Sequence, residues 1–464
     1  MAIMQSFGAA EIVTGSCHLL TLENGQKIMV DCGMFQGKHE EKNSQYFGFN
    51  PKDVDVLLIT HAHLDHVGRI PKLVKEGFKG RIITLRSTMD LAEVVLLDSA
   101  HLMNEEYQTQ FRKAQRRGTE KRVQQPLYTL EDVKAVYNLS IQYATYNEII
   151  SIYKDIDVIF RNAGHILDSA TIEIDFIEND IQKSIVFSGD LGNHNDMVMP
   201  SPTQVKKADT LYIESTYGDR NHKGIKESIE EFKKVIQETL LSQGSVLIPS
   251  FAIERTQEIL CILKQMYDKD ELPKCKIYLD SPMAIRATNL YNFYHDELSE
   301  CCNDFLKRDG TVFDFPYLKY TLKADESKKI NEQDSCIIIA GSGMCTGGRI
   351  LHHFKNRIWN SKNSVIFVGF QAYGTLGRKI VEGAEWIKLY HEKVRVNARI
   401  HTINGFSAHA DQNELLEWIE NFDTLGDIYL IHGEREKQDI FKKAIENSVT
   451  NKVHIVKEGE KISI

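Results

Sequence analysis

The chain has 464 residues, 42% hydrophobic and 26% charged, with a formal net charge of −9. This length exceeds one ordinary core, so two or more domains are expected. No apolar stretch reaches membrane-spanning length, and the first ten residues lack the basic-then-apolar pattern of a signal peptide. The eight cysteines form no C-x-x-C pair, which predicts reduced thiols in a cytoplasmic protein rather than a disulfide frame or a thiolate metal site. A net negative chain cannot attract nucleic acid through its overall field, which leaves only a local cleft for that purpose.

In chain order, apolar runs predict strands near 27–30, 54–60, 81–85, 158–161, 171–177, 184–187, 211–213, 245–248, 276–279, 336–340, 365–368, 394–403, 428–431 and 453–456. Helical periodicity falls at 90–117, 225–241, 255–267, 413–422 and 436–447. In the second of these, Ile229, Phe232, Val235, Ile236 and Leu240 share one face. Arg112, Lys113, Arg116, Arg117, Lys121 and Arg122 form the one clearly basic tract, read as a solvated helix face.

Polar residues suited to metal or acid–base work recur where an apolar run stops. Asp31, His61, His165, Asp190, Glu214 and His432 each follow such a run. In layered α/β proteins reactive groups collect on loops beyond strand ends, so these segments are expected to converge on one edge. The richest is His61-Ala62-His63-Leu64-Asp65-His66, three imidazoles and a carboxylate in six residues. These are the ligand types zinc prefers when a position must stay open for water. Taken singly, His165 reads as a structural histidine and Asp190 as a turn carboxylate. With His61, His63, Asp65, His66 and His432 they make seven ligand candidates, enough for two metals.

The pattern His61-x-His63-x-Asp65-His66, then His165, Asp190 and His432, resembles the metallo-β-lactamase superfamily. Glu214-Ser215-Thr216-Tyr217-Gly218, Phe406-Ser407-Ala408-His409-Ala410-Asp411, Gly341-Ser342-Gly343-Met344 with Gly347-Gly348-Arg349, and Gly369-Phe370-Gln371-x-x-Gly374-Thr375-Leu376 resemble its β-CASP nucleases. The resemblance covers nearly the whole chain in order and is nearest to the prokaryotic stand-alone type, related to RNase J and the cleavage-and-polyadenylation endonuclease. It implies an α/β fold, a four-layer αββα sandwich with an inserted α/β domain. The implied division is 1–208, an insert at 209–394, and a return at 395–464.

The resemblance also implies a zinc-dependent phosphodiesterase acting on single-stranded RNA, endo- or 5′-exonucleolytic, in RNA processing or decay. Two Zn2+ ions are implied, one with His61, His63 and His165, the other with Asp65, His66 and His432, and Asp190 shared. Asp65, Glu214 and His409 take the catalytic roles, with Glu214 keeping His409 protonated as general acid. Asp31 supports the ligand loop from behind. Ser342, Gly343, Arg349 and Ser407 are the implied substrate contacts, with Lys355, Arg357, Arg378 and Lys379 as nearby cations, and the resemblance admits a homodimer. The pair His352-His353 is read as helix, not as ligands. A histidine at 432 favours RNA over the DNA-repair branch. Asp168 departs from the pattern, standing where relatives commonly carry glycine. No added nucleic-acid module is expected before His61 or after His432, so substrate affinity must come from the cleft or from partners. A thioester or lactone hydrolase needs neither the insert nor the Glu214/His409 pair, and a non-catalytic scaffold would not keep all seven ligands.

Overall fold

The computed structural model describes residues 1–464, in two compact units. The first comprises Met1–His194, Ser201–Asn221 and His409–Ile464; the second comprises Asn195–Pro200 and His222–Ala408. No helix is long and apolar enough to cross a membrane.

The first unit is built on two seven-stranded sheets. One runs Ile462–Ser463, Ile3–Ser6, His18–Thr21, Lys27–Val30, Val56–Leu58, Arg81–Leu85, Ile141–Ala144. The other runs Val453–Ile455, Thr424–Ile431, Lys207–Glu214, Ile181–Phe187, Ala170–Glu178, Ile156–Asn162, Ile149–Tyr153. Side chains alternate across each strand. Val56 and Leu58 enter the core between the sheets with Phe160, Ile172, Ile174, Phe187 and Tyr212, while buried Leu57 points to the other face. That outer face is covered by helices that include Arg86–Gln115 and Leu130–Val136. Behind the second sheet, Val186, Leu211, Ile213 and Leu430 pack on Leu415, Trp418 and Ile419 of helix Gln412–Glu420 and on Phe441 and Ile445 of helix Arg435–Ser448. The layers are therefore αββα.

The second unit holds a six-stranded, wholly parallel sheet in the order Leu318–Tyr320, Ile277–Leu279, Ile337–Ala340, Val246–Pro249, Ser364–Phe367, Arg399–Thr402. Its central strands are buried throughout, as their uninterrupted apolar sequence requires.

Several differences from the sequence reading have local causes. Lys207–Glu214, which a boundary at 208 splits, pairs between Ile181–Phe187 and Thr424–Ile431 and lies wholly in the first unit. The run at 394–403 is two strands. Glu392–Arg395 pairs back on Trp386–Leu389. Asn397 and Ala398 then both donate backbone N–H to the Ile358 carbonyl, and the chain turns to place Arg399–Thr402 beside Ser364–Phe367, so the return to the first unit comes at His409 rather than at 395. Ile3–Ser6 and His18–Thr21 went unread because polar Gln5, Ser6, His18 and Thr21 break the apolar run that marks strands of the same length such as Lys27–Val30.

Candidate metal centre and active site

Every strand of the first unit that carries a predicted ligand delivers it from its carboxyl end. Val56–Leu58 runs into Ile59-Thr60-His61, and the ligand loop is then pinned by its neighbour. Cys32 N–H donates to the His66 carbonyl at 2.8 Å, Met34 N–H to Leu64 at 2.9 Å, and Ser16 N–H to Asp65 at 2.9 Å. Gly33 passes so close that a methyl there would overlap the Asp65 carbonyl. Ile181–Phe187 ends at Asp190, Ile156–Asn162 leads to His165, and Thr424–Ile431 ends at His432. His432 has φ of 48°, a conformation disfavoured for a side-chain-bearing residue, held by Ser215 N–H donating to its carbonyl and its own N–H donating to Ala9.

All seven predicted ligands converge. His61, His63, His165 and Asp190 offer ligand atoms mutually within 4.8 Å, as do Asp65, His66 and His432. His63 Nδ1 lies 3.2 Å from both His61 Nε2 and His165 Nε2. His66 Nε2 lies 3.3 Å from His432 Nε2. Asp190 faces both groups: Oδ2 is 3.4 Å from His61 Nε2 and 3.6 Å from His165 Nε2, while Oδ1 is 3.4 Å from His66 Nε2 and 3.5 Å from His432 Nδ1. Asp65 Oδ2 is 3.6 Å from His432 Nε2.

The electrostatics fit cation binding. Burial would raise the Asp190 carboxyl, but His432, His66 and His61 hold it well below the usual carboxylate range. Burial, reinforced by nearby imidazoles, lowers His61, His165 and His63, the last to about 3. These imidazoles are neutral at pH 7, the form that ligates metal. Asp190 Oδ1 is buried without a hydrogen-bond partner, a costly arrangement that a cation relieves.

Behind the ligands lies a supporting network. Asp31 accepts from Thr60 N–H and Thr60 Oγ1–H, both at 2.8 Å, and its Oδ2 lies 2.7 Å from His66 Nδ1. Thr216 Oγ1 lies 3.0 Å from His432 Nδ1. Sequence reading missed Thr60, Thr216 and His18. Thr60 adjoins one quoted motif and Thr216 lies within another, so both could have been found there. His18 is buried between Ser6 and Ser16 and lowered to about 3 by burial, and no sequence signal marks it.

Glu214 and His409 also meet. Glu214, fully buried at the end of Lys207–Glu214, accepts from Leu191 N–H at 2.7 Å, and its Oε1 lies 3.2 Å from His409 Nδ1. Gly192 forms a bridge with His409, and Ala410 N–H donates to Leu191. Asp411 and Glu414 then cap helix Gln412–Glu420 reciprocally. Burial opposes charge on His409, but Glu214 outweighs it and raises the pKa to about 9. The ring sits 4.4 Å from that of His165.

Most of the remaining sequence candidates belong to the second unit. Ser342 and Gly343 form the turn after Ile337–Ala340, with the Ser342 hydroxyl accepting from Thr346 and Gly347 N–H. Arg349 spends its guanidinium on Asp280 and on the carbonyls of Thr321 and Leu322, at 2.7–2.8 Å, so it braces that turn. Ser407 is buried near the end of the second unit's chain. Arg357 is internal, donating to Ser245 and to the Ile330 and Gln333 carbonyls, while Lys355 and Arg378 pair with Glu392 and Glu382. His352 and His353 lie in helix Ile350–Arg357, with His353 against Asp280. Asp168 has φ of 52°, which explains how glycine can stand there. Its carboxylate accepts from the Ser87 hydroxyl and its carbonyl from the Thr88 hydroxyl, so a carboxylate is held at the N-terminal end of the long helix Arg86–Gln115, where the helix dipole favours it.

An αββα sandwich with a histidine–carboxylate cage at one edge defines a metallohydrolase of the metallo-β-lactamase kind. Residues 11–90 match the metallo-beta-lactamase superfamily, 256–380 the Beta-Casp domain, and 393–456 the Zn-dependent metallo-hydrolase RNA specificity domain. Ribonuclease TTHA0252 of Thermus thermophilus is 39% identical over 432 residues, 93% of each chain. Transcription termination factor FttA is 32% identical in Methanococcus maripaludis, over 89% of this chain and 64% of the relative. The Methanocaldococcus jannaschii FttA is 31% identical, over 93% of this chain and 66% of the relative. The chain thus spans about two thirds of FttA. A crystal structure of a protein of unknown function from Enterococcus faecalis V583 shares the fold, with a TM-score of 0.54 at 13% identity over 100% of both chains. The chain belongs to the β-CASP family of metallo-β-lactamase-fold, metal-binding hydrolases.

Proposed function

We propose that this chain is a metal-dependent ribonuclease that hydrolyses phosphodiester bonds of single-stranded RNA, in RNA processing or decay. The observation that carries the reading is the convergence of seven ligand side chains at one edge, five of them buried, beside an imidazole that a fully buried glutamate keeps charged. The 39% identity to a bacterial ribonuclease over 93% of both chains supports RNA as the substrate class.

Two zinc ions are the cofactors of this reading. His61, His63 and His165 would hold one, Asp65, His66 and His432 the other, with Asp190, which faces both sets, shared. When bound, such a pair lowers the pKa of water towards about 7 and offsets charge on phosphoryl oxygens. The chain's own residues do the rest. Asp31 takes the Nδ1–H of His66, which fixes its tautomer and turns Nε2 towards the pocket. Thr216 does the same for His432. Asp65, only partly buried, accepts a hydrogen bond from the attacking water and orients it. Glu214 anchors His409 through Nδ1, so the proton on Nε2 is the one delivered to the departing oxygen. With its pKa raised to about 9, His409 carries that proton throughout the neutral range.

The test incubates zinc-loaded protein with 5′- and 3′-labelled single-stranded RNA, alongside His409→Ala and Asp65→Ala. Loss of general-acid catalysis costs on the order of 10²–10⁴-fold, so both variants should lose cleavage. His409→Ala should keep its fold by circular dichroism and its metal by elemental analysis. Undiminished cleavage by both variants removes the mechanism. The two labels separate endonuclease from 5′-exonuclease products.

A further inference from the structure

The parallel sheet of the second unit contains a reversal point. From Val246–Pro249 the chain crosses to Ile277–Leu279 on one side, and from Ile337–Ala340 it crosses to Ser364–Phe367 on the other. The two starting strands are direct neighbours. Connections that leave adjacent carboxyl ends in opposite directions open a crevice, the place where open parallel sheets take their ligands.

The turns at that place are unusual in what they expose. Phe251 follows Val246–Pro249 and is 42% exposed; Phe370 and Tyr373, beyond Ser364–Phe367, are 49% and 95% exposed. All three stand outside the unit's apolar core. Two glycine turns flank the Phe251 ring. A methyl on Gly343 would come within 2.8 Å of it, and one on Gly369 within 3.5 Å. Gln371, nearly buried, donates its side-chain amide to the carbonyls of Gly343 and Gly369, both at 3.0 Å, and so staples the two turns together. Gly377 N–H adds a bond to the Met344 carbonyl at 3.2 Å. The rings stand on a stiff scaffold rather than on wandering loops.

We propose that this crevice is a stacking platform for unpaired nucleobases, with Phe251, Phe370 and Tyr373 as the receiving rings. The proposal rests on the ribonuclease reading of the first unit's site and names how substrate is selected. Rings interleaved with bare backbone and an amide match a base, which offers both an apolar face and polar edges. A protein partner would call for a continuous apolar patch. The charge balance of −9 supports the same view, because a chain with no attractive overall field must gain affinity from contacts such as stacking. Duplex RNA hides its base faces, so the platform selects single strands.

The test uses the full chain, zinc-loaded and carrying His409→Ala, with a short single-stranded RNA labelled with 2-aminopurine. Anisotropy reads affinity and 2-aminopurine emission reads stacking. Phe251→Ala and Tyr373→Ala should each weaken binding about tenfold, whereas Phe251→Tyr should hold it. RNA with an abasic residue at the stacked position should bind the parent about tenfold more weakly, and the alanine variants should show no further loss. Tyr373 is almost wholly exposed, so its variant keeps the fold and carries the test alone if Phe251→Ala does not fold. Affinities within twofold for both variants, with unchanged sensitivity to the abasic site, overturn the proposal. Wild-type cleavage of the same RNA runs in parallel. Cleavage with unaffected binding sinks the platform alone, while no cleavage with ring-dependent binding sinks the ribonuclease reading and leaves the platform standing.

Discussion

The two units present their parallel strand ends in opposite chemical styles. In the first, the tips carry ionisable side chains, sunk out of water and packed so that Asp190 touches four imidazoles within 3.6 Å. In the second, the tips of Val246–Pro249, Ile337–Ala340 and Ser364–Phe367 carry glycine, amide and exposed ring. The first edge stores electrostatic strain that a cation relieves. Those three tips of the second unit bear no charge and offer shape. Changes at the first edge should therefore abolish chemistry and metal binding, and changes at the second should alter affinity while leaving metal alone.

The strongest attempt to break this contrast is Asp190→Ala. It removes the one group that faces both ligand sets and leaves neighbouring imidazoles without their anion. Loss of metal-derived stabilisation is worth several kcal/mol, so cleavage should fall by about 10³-fold or more, and zinc content measured by elemental analysis should fall with it. Full zinc occupancy in this variant would end the shared-ligand assignment. Asp31→Asn is milder, since the ligand His66 remains and only its orientation is lost. Supporting changes of this kind cost about 10–100-fold in metal affinity, which competition with a chromogenic chelator reads directly.

The same contrast explains what the sequence disclosed. His61, His63, Asp65 and His66 are rare residue types at close spacing, and His165, Asp190, Glu214 and His432 each follow an apolar run. A cage made of side chains is written in residue identity. Its rear wall is less so: His18 opens a strand with only two apolar residues, Leu19 and Leu20. The crevice of the second unit is fainter still. Its geometry depends on which strands are neighbours, a non-local fact that a run such as 336–340 cannot state. The break inside 394–403 escaped for the same reason. Continuous apolar character shows burial but not the turn that Ile358 imposes on Asn397 and Ala398.

Gly343→Ala sharpens the second half of the comparison. The added methyl would meet the Phe251 ring at 2.8 Å and the Phe251 nitrogen at 3.0 Å. Ring or turn must move, at about 1–3 kcal/mol for overpacking. Chemical denaturation should register that loss, and RNA affinity should drop, with zinc content unchanged. Loss of zinc here would show that the two edges are not chemically separate.

The last test concerns a cluster of charge that the second unit buries. Glu254, Glu258 and Arg255 lie together near the start of helix Arg255–Asp268, with Asp196 beside them. Burial raises Glu258 to about 8 against the pull of Arg255, with Asp196 adding to the rise, and burial pushes Glu254 up as well. The folded protein therefore holds protons that the unfolded chain has released. For a raised carboxyl, the stabilising contribution is complete below the ordinary carboxyl range near 4.5 and is lost as pH rises through about 8. Each held proton costs up to about 1.4 kcal/mol per pH unit within that window. Unfolding free energy should therefore decline from pH 5 to pH 8, a direction opposite to that set by Asp190 or any other carboxyl held low. Glu258→Gln, which keeps a hydrogen bond for Arg255 and has no proton to lose, should flatten the decline; an equally steep slope in that variant would mean the protons are held elsewhere.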